Sequence, residues 1–566
     1  MKLIIRQYLT SLRERGELDA ILPDLLSELG YIVYSRPQRG TTQLGVDVAA
    51  VGADDSGEQK VYLFSIKSGD LTRRDWNTGD QALRPSLDQI IDAYIPTRIP
   101  PEYQNLKIVI CLCYGGDIHE NIQTDVVGYT SRQTNEKISF EQWNGDKLAG
   151  LIMQGIMRED ILPKELRSHF QKSVALVDEP DVSYLHFSRL LNDFNRIANS
   201  DPKNSVRSAR QIYICLWIMF VWARDIANLE SPYRSCELAL LHTWKLVLRY
   251  IGSECAENRD ITSVINQLVT LYLIISGEFL DTRITPHVTK RDALSTAVRS
   301  HASVDINIAL FDILGRVGMH ALWLGWIAQK MDDPAQSLIR ENISNYVQVG
   351  FSMIESNPVL YLPIKDEQAT SVALFLVAKL QTDCFHGQLS GWIAKTIDRY
   401  HFTLLTRGRF PTSYSDYEDI REHPRDNSSE YLEEATVGST LLPLLVLWAG
   451  AMRLDQVVNT ATKIVKNYLN HCTMQLWIPS SDSEEHLYLN SNSHGRAVCN
   501  LPISGNYIEL FEAVSEACDE DEGITQLSAM KAGFWPLVLL ACKHWRLPIP
   551  PQFYLDALKP ETPSSE

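Results

Sequence analysis

At 566 residues, 45% of them hydrophobic and 22% charged, the chain has room for about three or four ordinary domains, or two if one is large. Its composition is that of a folded protein, not a disordered one. Lys and Arg number 53 against 70 Asp and Glu, a net charge of −17 that excludes a surface coated in positive charge but leaves room for a local basic cleft. Ten cysteines without a C-x-x-C pair exclude a disulfide scaffold.

The opening MKLIIRQYLTSLRERG has a three-residue apolar run, too short for a signal peptide. Leu18, Ile21, Leu22, Leu25, Leu26 and Leu29 then recur at helical spacing; Pro23 should kink this helix or shift its start, and Gly30 should stop it. Residues 31–35 read as a short strand. Residues 45–52 (GVDVAAVG) and 60–67 (KVYLFSIK) read as paired strands around the polar turn ADDSGEQ. A helix is expected at 86–94 and a central strand at 107–114. A helix at 118–130, a strand at 138–143 turned by Asn144-Gly145, and a closing helix at 147–157 follow. Cys111 and Cys113 share one face of their strand, which reads as core packing more readily than as a metal pair.

Residues 172–184 read as a linker, and from about 185 the pattern is helical, with polar interruptions at about 407–431 and 479–506 and a small polar tail from Pro560. The longest apolar runs, 212–223, 264–275 and 441–451, fall short of the roughly 18–20 residues of a bilayer span and read as buried helices of a cytoplasmic protein. The tryptophans of this part read as core, and Cys384-x-His386 and His471-Cys472 as isolated pairs. Neither a phosphate-binding G-x-x-x-x-G-K-[ST] loop nor G-x-G-x-x-G occurs.

The paired strands carry the chemistry. Side chains alternate along a strand, so Val61, Leu63, Ser65 and Lys67 share a face, and Asp47 is the one charged residue in its apolar stretch. Burying either charge alone is costly. Together, beside a cation or a phosphate, they compensate each other. A third acid comes from the first helix, where Asp19 and Glu17 border opposite sides of the apolar stripe; residues two apart do not face the same way, and Asp19 is the better placed.

ELDAILPDLLSELGYIV, then GVDV, then FSIK resembles the Mrr-like branch of the PD-(D/E)xK restriction-endonuclease superfamily, over roughly residues 13–160 and none of the helical part. The resemblance implies a restriction-endonuclease-like α/β domain at 1–165; the helical pattern beyond it is expected to be an all-α domain at 185–566, whose sensing, recognition or partner-binding role is read from the layout alone. It implies a Mg²⁺- or Mn²⁺-dependent endonuclease with DNA as the favoured nucleic acid. Asp47 then matches the central metal-binding aspartate, Lys67 the catalytic lysine, and Asp19, or Glu17, the first-helix acid. The Ile66 carbonyl would be a further metal ligand. Ser65 stands where the family has Glu, Asp or Gln, and Asp70 is a candidate replacement acid.

Arg36, Arg39, Arg73, Arg74 and Arg84 surround the hairpin and would hold a phosphate backbone while Trp76 stacks or wedges; 37–42 would be the substrate-facing loop. The plainer reading makes Asp47 and Lys67 a structural ion pair and the arginines a solvated face. Chains of this layout resemble effectors of prokaryotic antiviral defence. The expected partners are nucleic acid and a second protein of such a system, in a homo-oligomer or hetero-complex away from membranes. Two rival expectations remain: a catalytically silent nucleic-acid-binding or scaffold subunit, and a helical adaptor that its N-terminal domain merely docks.

Overall fold

The structure is a computed structural model that describes every residue except 1–4, 7, 8, 11, 13, 15–17, 37–42, 55, 79–81, 156–163, 201–203, 227, 249, 251, 252, 254, 299, 301, 481, 483, 490–494, 521, 522 and 561–566. The expectations on Glu17, Arg39, the 37–42 loop and the tail beyond 560 therefore lie outside the described residues. Two compact units are present: Met1–Ala239 with Arg259–Val264, and Leu240–Asn258 with Ile265–Glu566. The chain thus has an N-terminal part built on a mixed sheet and a large helical part.

In the first unit, α1 (Asp19–Glu28) buries Ile21, Leu22, Leu25 and Leu26, and Pro23 lies within it. Gly30 ends it in the left-handed region at φ +85°, and the Tyr31 N–H returns to the Leu26 carbonyl at 2.9 Å. A five-stranded sheet follows in sequence order: β1 (Ile32–Ser35), β2 (Val48–Ala53), β3 (Gln59–Lys67), β4 (Lys107–Tyr114) and β5 (Ile138–Trp143). The pairs β1–β2 and β2–β3 are antiparallel, with Val48 opposite Phe64; β3–β4 and β4–β5 are parallel, with Lys67 opposite Tyr114. The expected turn closes through Asp54, whose carboxylate accepts the Ser56 and Glu58 N–H groups, with Gly57 at φ +83°.

On one face, Ala49, Val51, Val61, Leu63, Ile108, Ile110 and Leu112 pack with Trp76, Leu83, Leu87, Ile122 and Val126. Those last five come from α2 (Arg73–Asn77), α3 (Leu83–Gln89) and α4 (Glu120–Gln133). The other face carries Tyr62, Phe64 and Trp143, with Phe64 and Trp143 edge-to-face at 4.8 Å, and α1 and α5 (Gly145–Gly155) pack there. Cys111 and Cys113 are both buried thiols.

Several boundaries differ from expectation. The helix expected at 86–94 begins at Leu83 and passes into a π-helical turn, Ile90–Tyr94. Asn144-Gly145 is a helix start and not a free turn: the Asn144 side-chain oxygen accepts the Lys147 N–H at 2.9 Å. The expected linker 172–184 is largely helical. It holds the end of α6 (Lys164–Ala175) and the beginning of α7 (Pro180–Ser200), locked by the buried Ser183 hydroxyl donating to the Ser173 carbonyl. The D-E-P run that suggests a loop instead places proline at the first helical position, where its missing N–H has no cost. With α8 (Asn204–Asp225), which packs on α1, these helices belong to the sheet-bearing unit, so that unit extends past residue 165 to 239.

The second unit is built around Ser303–Ala328, packed on Asp333–Ser356 and Ala369–Lys379. Leu441–Ala451 is buried almost throughout, and its N-terminal end is held by Asp366, which accepts hydrogen bonds from the Thr440 and Leu441 N–H groups and the Ser439 hydroxyl. The polar stretch at 407–431 contains the helix Tyr417–Glu422, and that at 479–506 contains Glu484–Leu489 and the strand Arg496–Val498. Run lengths predict no membrane-length segment, yet Ala256–His287 and Ser303–Ala328 are long and apolar enough to cross a membrane by length and composition. Of their apolar windows, 50% and 67% are buried in the fold.

Candidate functional site

β2 begins at Val48, so Asp47 stands one residue before it and not inside a strand as expected. Its N–H still reaches the Phe64 carbonyl (2.8 Å), and its carboxylate accepts the Ile66 N–H at 2.7 Å. A side-chain oxygen thus takes a backbone donor of β3 beyond the last β2–β3 partner pair, and this fixes the carboxylate against the end of β3. Burial pushes the Asp47 carboxyl up to about 6 from 3.8. The Ile66 hydrogen bond and Lys67 oppose that rise, whereas the negative charges of Glu14 and Asp19 add to it. Three acids and one lysine therefore act on one another in one corner of the fold.

Lys67 ends β3 with its side chain 9% exposed, and its Nζ lies 3.0 Å from both carboxylate oxygens of Glu14. A nearly buried ammonium requires such a partner. Asp19 opens α1, where the helix dipole favours a negative charge. Ser65, opposite the Asp47 end of β2 and on the Lys67 side of β3, is 2% exposed. Ile66 enters the site through its N–H.

The structure brings together Asp47, Lys67 and Asp19 and adds Glu14, which sequence reasoning missed. Glu14 precedes the periodic helix and has no partner pattern; the contact spans 53 positions of chain. Asp70 faces elsewhere: its carboxylate accepts the Asp117 N–H at 2.8 Å and stands 3.9 Å from His119 Nε2. Among the described residues, no three His, Cys, Asp or Glu side chains are grouped so as to hold a metal ion.

Of the expected phosphate-binding arginines, Arg73 and Arg74 are exposed on α2, just beyond the end of β3. Arg36 pairs with the buried Asp24 at 3.4 Å, and the Arg84 guanidinium lies 5.8 Å from the Tyr129 ring centroid. Trp76 does not stack on a ligand. It is 1% exposed and packed edge-to-face on Tyr129 at 5.7 Å, because α2 turns that one side chain into the core while the arginines face solvent.

No protein-family model, curated protein or solved structure matches the chain.

Proposed function

We propose that the chain is a divalent-metal-dependent endonuclease of restriction-endonuclease-like fold that hydrolyses phosphodiester bonds, in DNA in preference to RNA. The helical remainder would restrain or target it, in the manner of an effector of prokaryotic antiviral defence acting with a second protein. The order helix, three antiparallel strands, helix, parallel strand supports the fold that the resemblance implies. The observation that carries the reading is the half-buried Asp47 carboxylate, pushed up to about 6, set beside Lys67 at the ends of adjacent strands. A purely structural ion pair has no need of such an excess of acid.

Carboxylate oxygens are the donors Mg²⁺ or Mn²⁺ would take, although among the described residues no three are grouped to hold an ion, so water and substrate phosphate would have to supply most of its shell. Acids outnumber the lysine at this corner, and such an ion is commonly held by one or two carboxylates. Asp47 and Asp19 would hold it. When bound, it would supply a water acidic enough to attack and would compensate phosphate charge. Lys67 would present Nζ to the attacking water or to a phosphate oxygen, and Arg73 and Arg74 would steady the backbone.

The second reading is a nuclease-like subunit that binds nucleic acid without cutting it. The buried Ser65, where the family carries a ligand, favours it. Incubation of the full chain, alone and with any co-purifying partner, with DNA and RNA in Mg²⁺ or Mn²⁺ tests both readings. Cleavage that Asp47→Ala abolishes is expected; no cleavage by either protein leaves the silent subunit.

A further inference from the structure

We propose that the helical unit binds a phosphate monoester, its phosphate capping the helix His386–Thr406 and its body lying in the cleft beside that helix. The site lies wholly within the second unit and is independent of the nuclease reading.

The helix opens on N–H groups that no protein atom accepts. Its first hydrogen bond runs from the Leu389 N–H to the Phe385 carbonyl at 3.0 Å. Among the described residues nothing accepts from the N–H groups of Phe385, His386, Gly387 or Gln388, and no side chain caps them. Phe385 lies in the left-handed region at φ +67°, uncommon for an aromatic residue, with its ring packed on Phe351 at 5.5 Å. A left-handed residue followed by a helical one gathers successive N–H groups into a concavity suited to an anion.

A buried cation is aimed at the same place. Lys379 ends the helix Ala369–Lys379 and is 4% exposed, and its Nζ lies 3.4 Å from Nδ1 of His386, the first residue of the capped helix. Among the described residues no carboxylate comes within 4 Å of that Nζ. Burial lowers the Lys379 pKa from the usual lysine value, and Asp383 and Cys384 oppose this only from longer range. The C-terminus of its own helix favours the cation but carries about half a charge at most. A buried ammonium without a carboxylate is costly, and an anion at the His386 turn would supply the missing charge.

A cleft of about 290 Å³ leads from this turn along the helix. Gly387 and Gly391 form one side of it, and a Cβ on either would meet nothing within 4 Å, so the space over them is open. Tyr361 and Trp392 supply apolar wall. Lys395 stands on the rim, 3.5 Å from the Tyr361 hydroxyl and without an acid partner among the described residues. Glu355, on the facing helix Asp333–Ser356, is the acid of the lining and would accept from a hydroxyl on the ligand body. Two lysines and a helix N-terminus against that one acid match the double charge of a phosphate monoester better than the single charge of a carboxylate.

The test is calorimetric binding of inorganic phosphate and of phenyl phosphate to the full chain, for wild type, Lys379→Met, Lys395→Gln and Gly391→Leu, with a thermal melt of each. Methionine keeps the buried stem of Lys379, leucine at 391 enters open space, and Lys395 is exposed, so the variants should fold. Wild type should bind phenyl phosphate more tightly than inorganic phosphate. Lys379→Met should lose at least about tenfold in affinity for both, Lys395→Gln should weaken phenyl phosphate, and Gly391→Leu should weaken phenyl phosphate alone. Wild type that binds neither probe at millimolar concentration, or Lys379→Met and Lys395→Gln that both bind as wild type does, overturns the anion site. Equal wild-type affinity for the two probes, or no loss in Gly391→Leu, overturns the cleft as the seat of the ligand body.

Discussion

Replacing Asp47 with asparagine should stabilise the metal-free protein while removing its response to metal. Asparagine keeps an oxygen for the Ile66 N–H and discards the charge. The carboxyl titrates at about 6 in the folded chain against 3.8 unperturbed, a shift already net of the favourable Ile66 and Lys67 interactions. At about 1.4 kcal/mol per unit, holding the ionised form costs the folded state up to about 3 kcal/mol. The sign follows from linkage: between pH about 4 and 6 the native state keeps a proton that the unfolded chain releases, so wild-type stability falls as pH rises through that window. Below it the two proteins should melt alike. At pH 7.5 without divalent ions, Asp47→Asn should melt higher by up to roughly 6–12 °C for a unit of this size. Adding Mg²⁺ or Mn²⁺ at a hundred times its Kd should return about 2.7 kcal/mol to wild type and nothing to the variant. Calorimetric melts from pH 4 to 8 provide the test. A variant less stable than wild type at pH 7.5, or a gap that does not change with pH, would refute the claim that Asp47 is held ionised against the preference of its surroundings.

Lys67→Met should abolish cleavage and lower stability by about 3 kcal/mol, since Glu14 and Asp47 then face each other without a cation; denaturant melts and a nuclease assay read the two effects. Arg73→Ala with Arg74→Ala should weaken DNA binding and reduce the salt slope by about one unit per lost phosphate contact, as fluorescence anisotropy across salt concentrations would show. Trp76→Ala should cost about 3–5 kcal/mol of stability, while Trp76→Phe, which still folds, should leave DNA affinity unchanged; a base-stacking role would show the reverse. Gly115→Ala should push the Leu9 backbone off the end of β4, since the added Cβ would lie 1.9 Å from the Leu9 carbonyl oxygen, seen as faster proteolysis near Leu9.

The sheet was legible because strands announce themselves locally. The runs at 107–114 and 138–143 match β4 and β5, and the isolation of Asp47 and Lys67 among apolar neighbours marked both as special. Edges of elements were less so. Asp47 sits before β2 because its own carboxylate replaces a ladder partner, a substitution that residue pattern does not encode. Trp76 lies in R-R-D-W-N, which reads as a polar surface, yet a five-residue helix needs only one side chain to reach the core. The Glu14–Lys67 contact was invisible because it joins residues 53 positions apart, beside a glycine at 115 that admits a distant backbone. The 172–184 run reads as a linker because its hydrogen bonds pass between helices, from Ser183 to Ser173 and from Ser231 to the Val177 carbonyl.

Asp47 and Asp19, beside Lys67, are proposed to hold one divalent cation. Anomalous diffraction from crystals of the full chain soaked in Mn²⁺ measures this most directly. The expected result is a peak bonded to the Asp47 carboxylate, within reach of Asp19, and lost in Asp47→Asn. A peak confined to another part of the chain, or density beside Asp47 unaltered by that substitution, would contradict it.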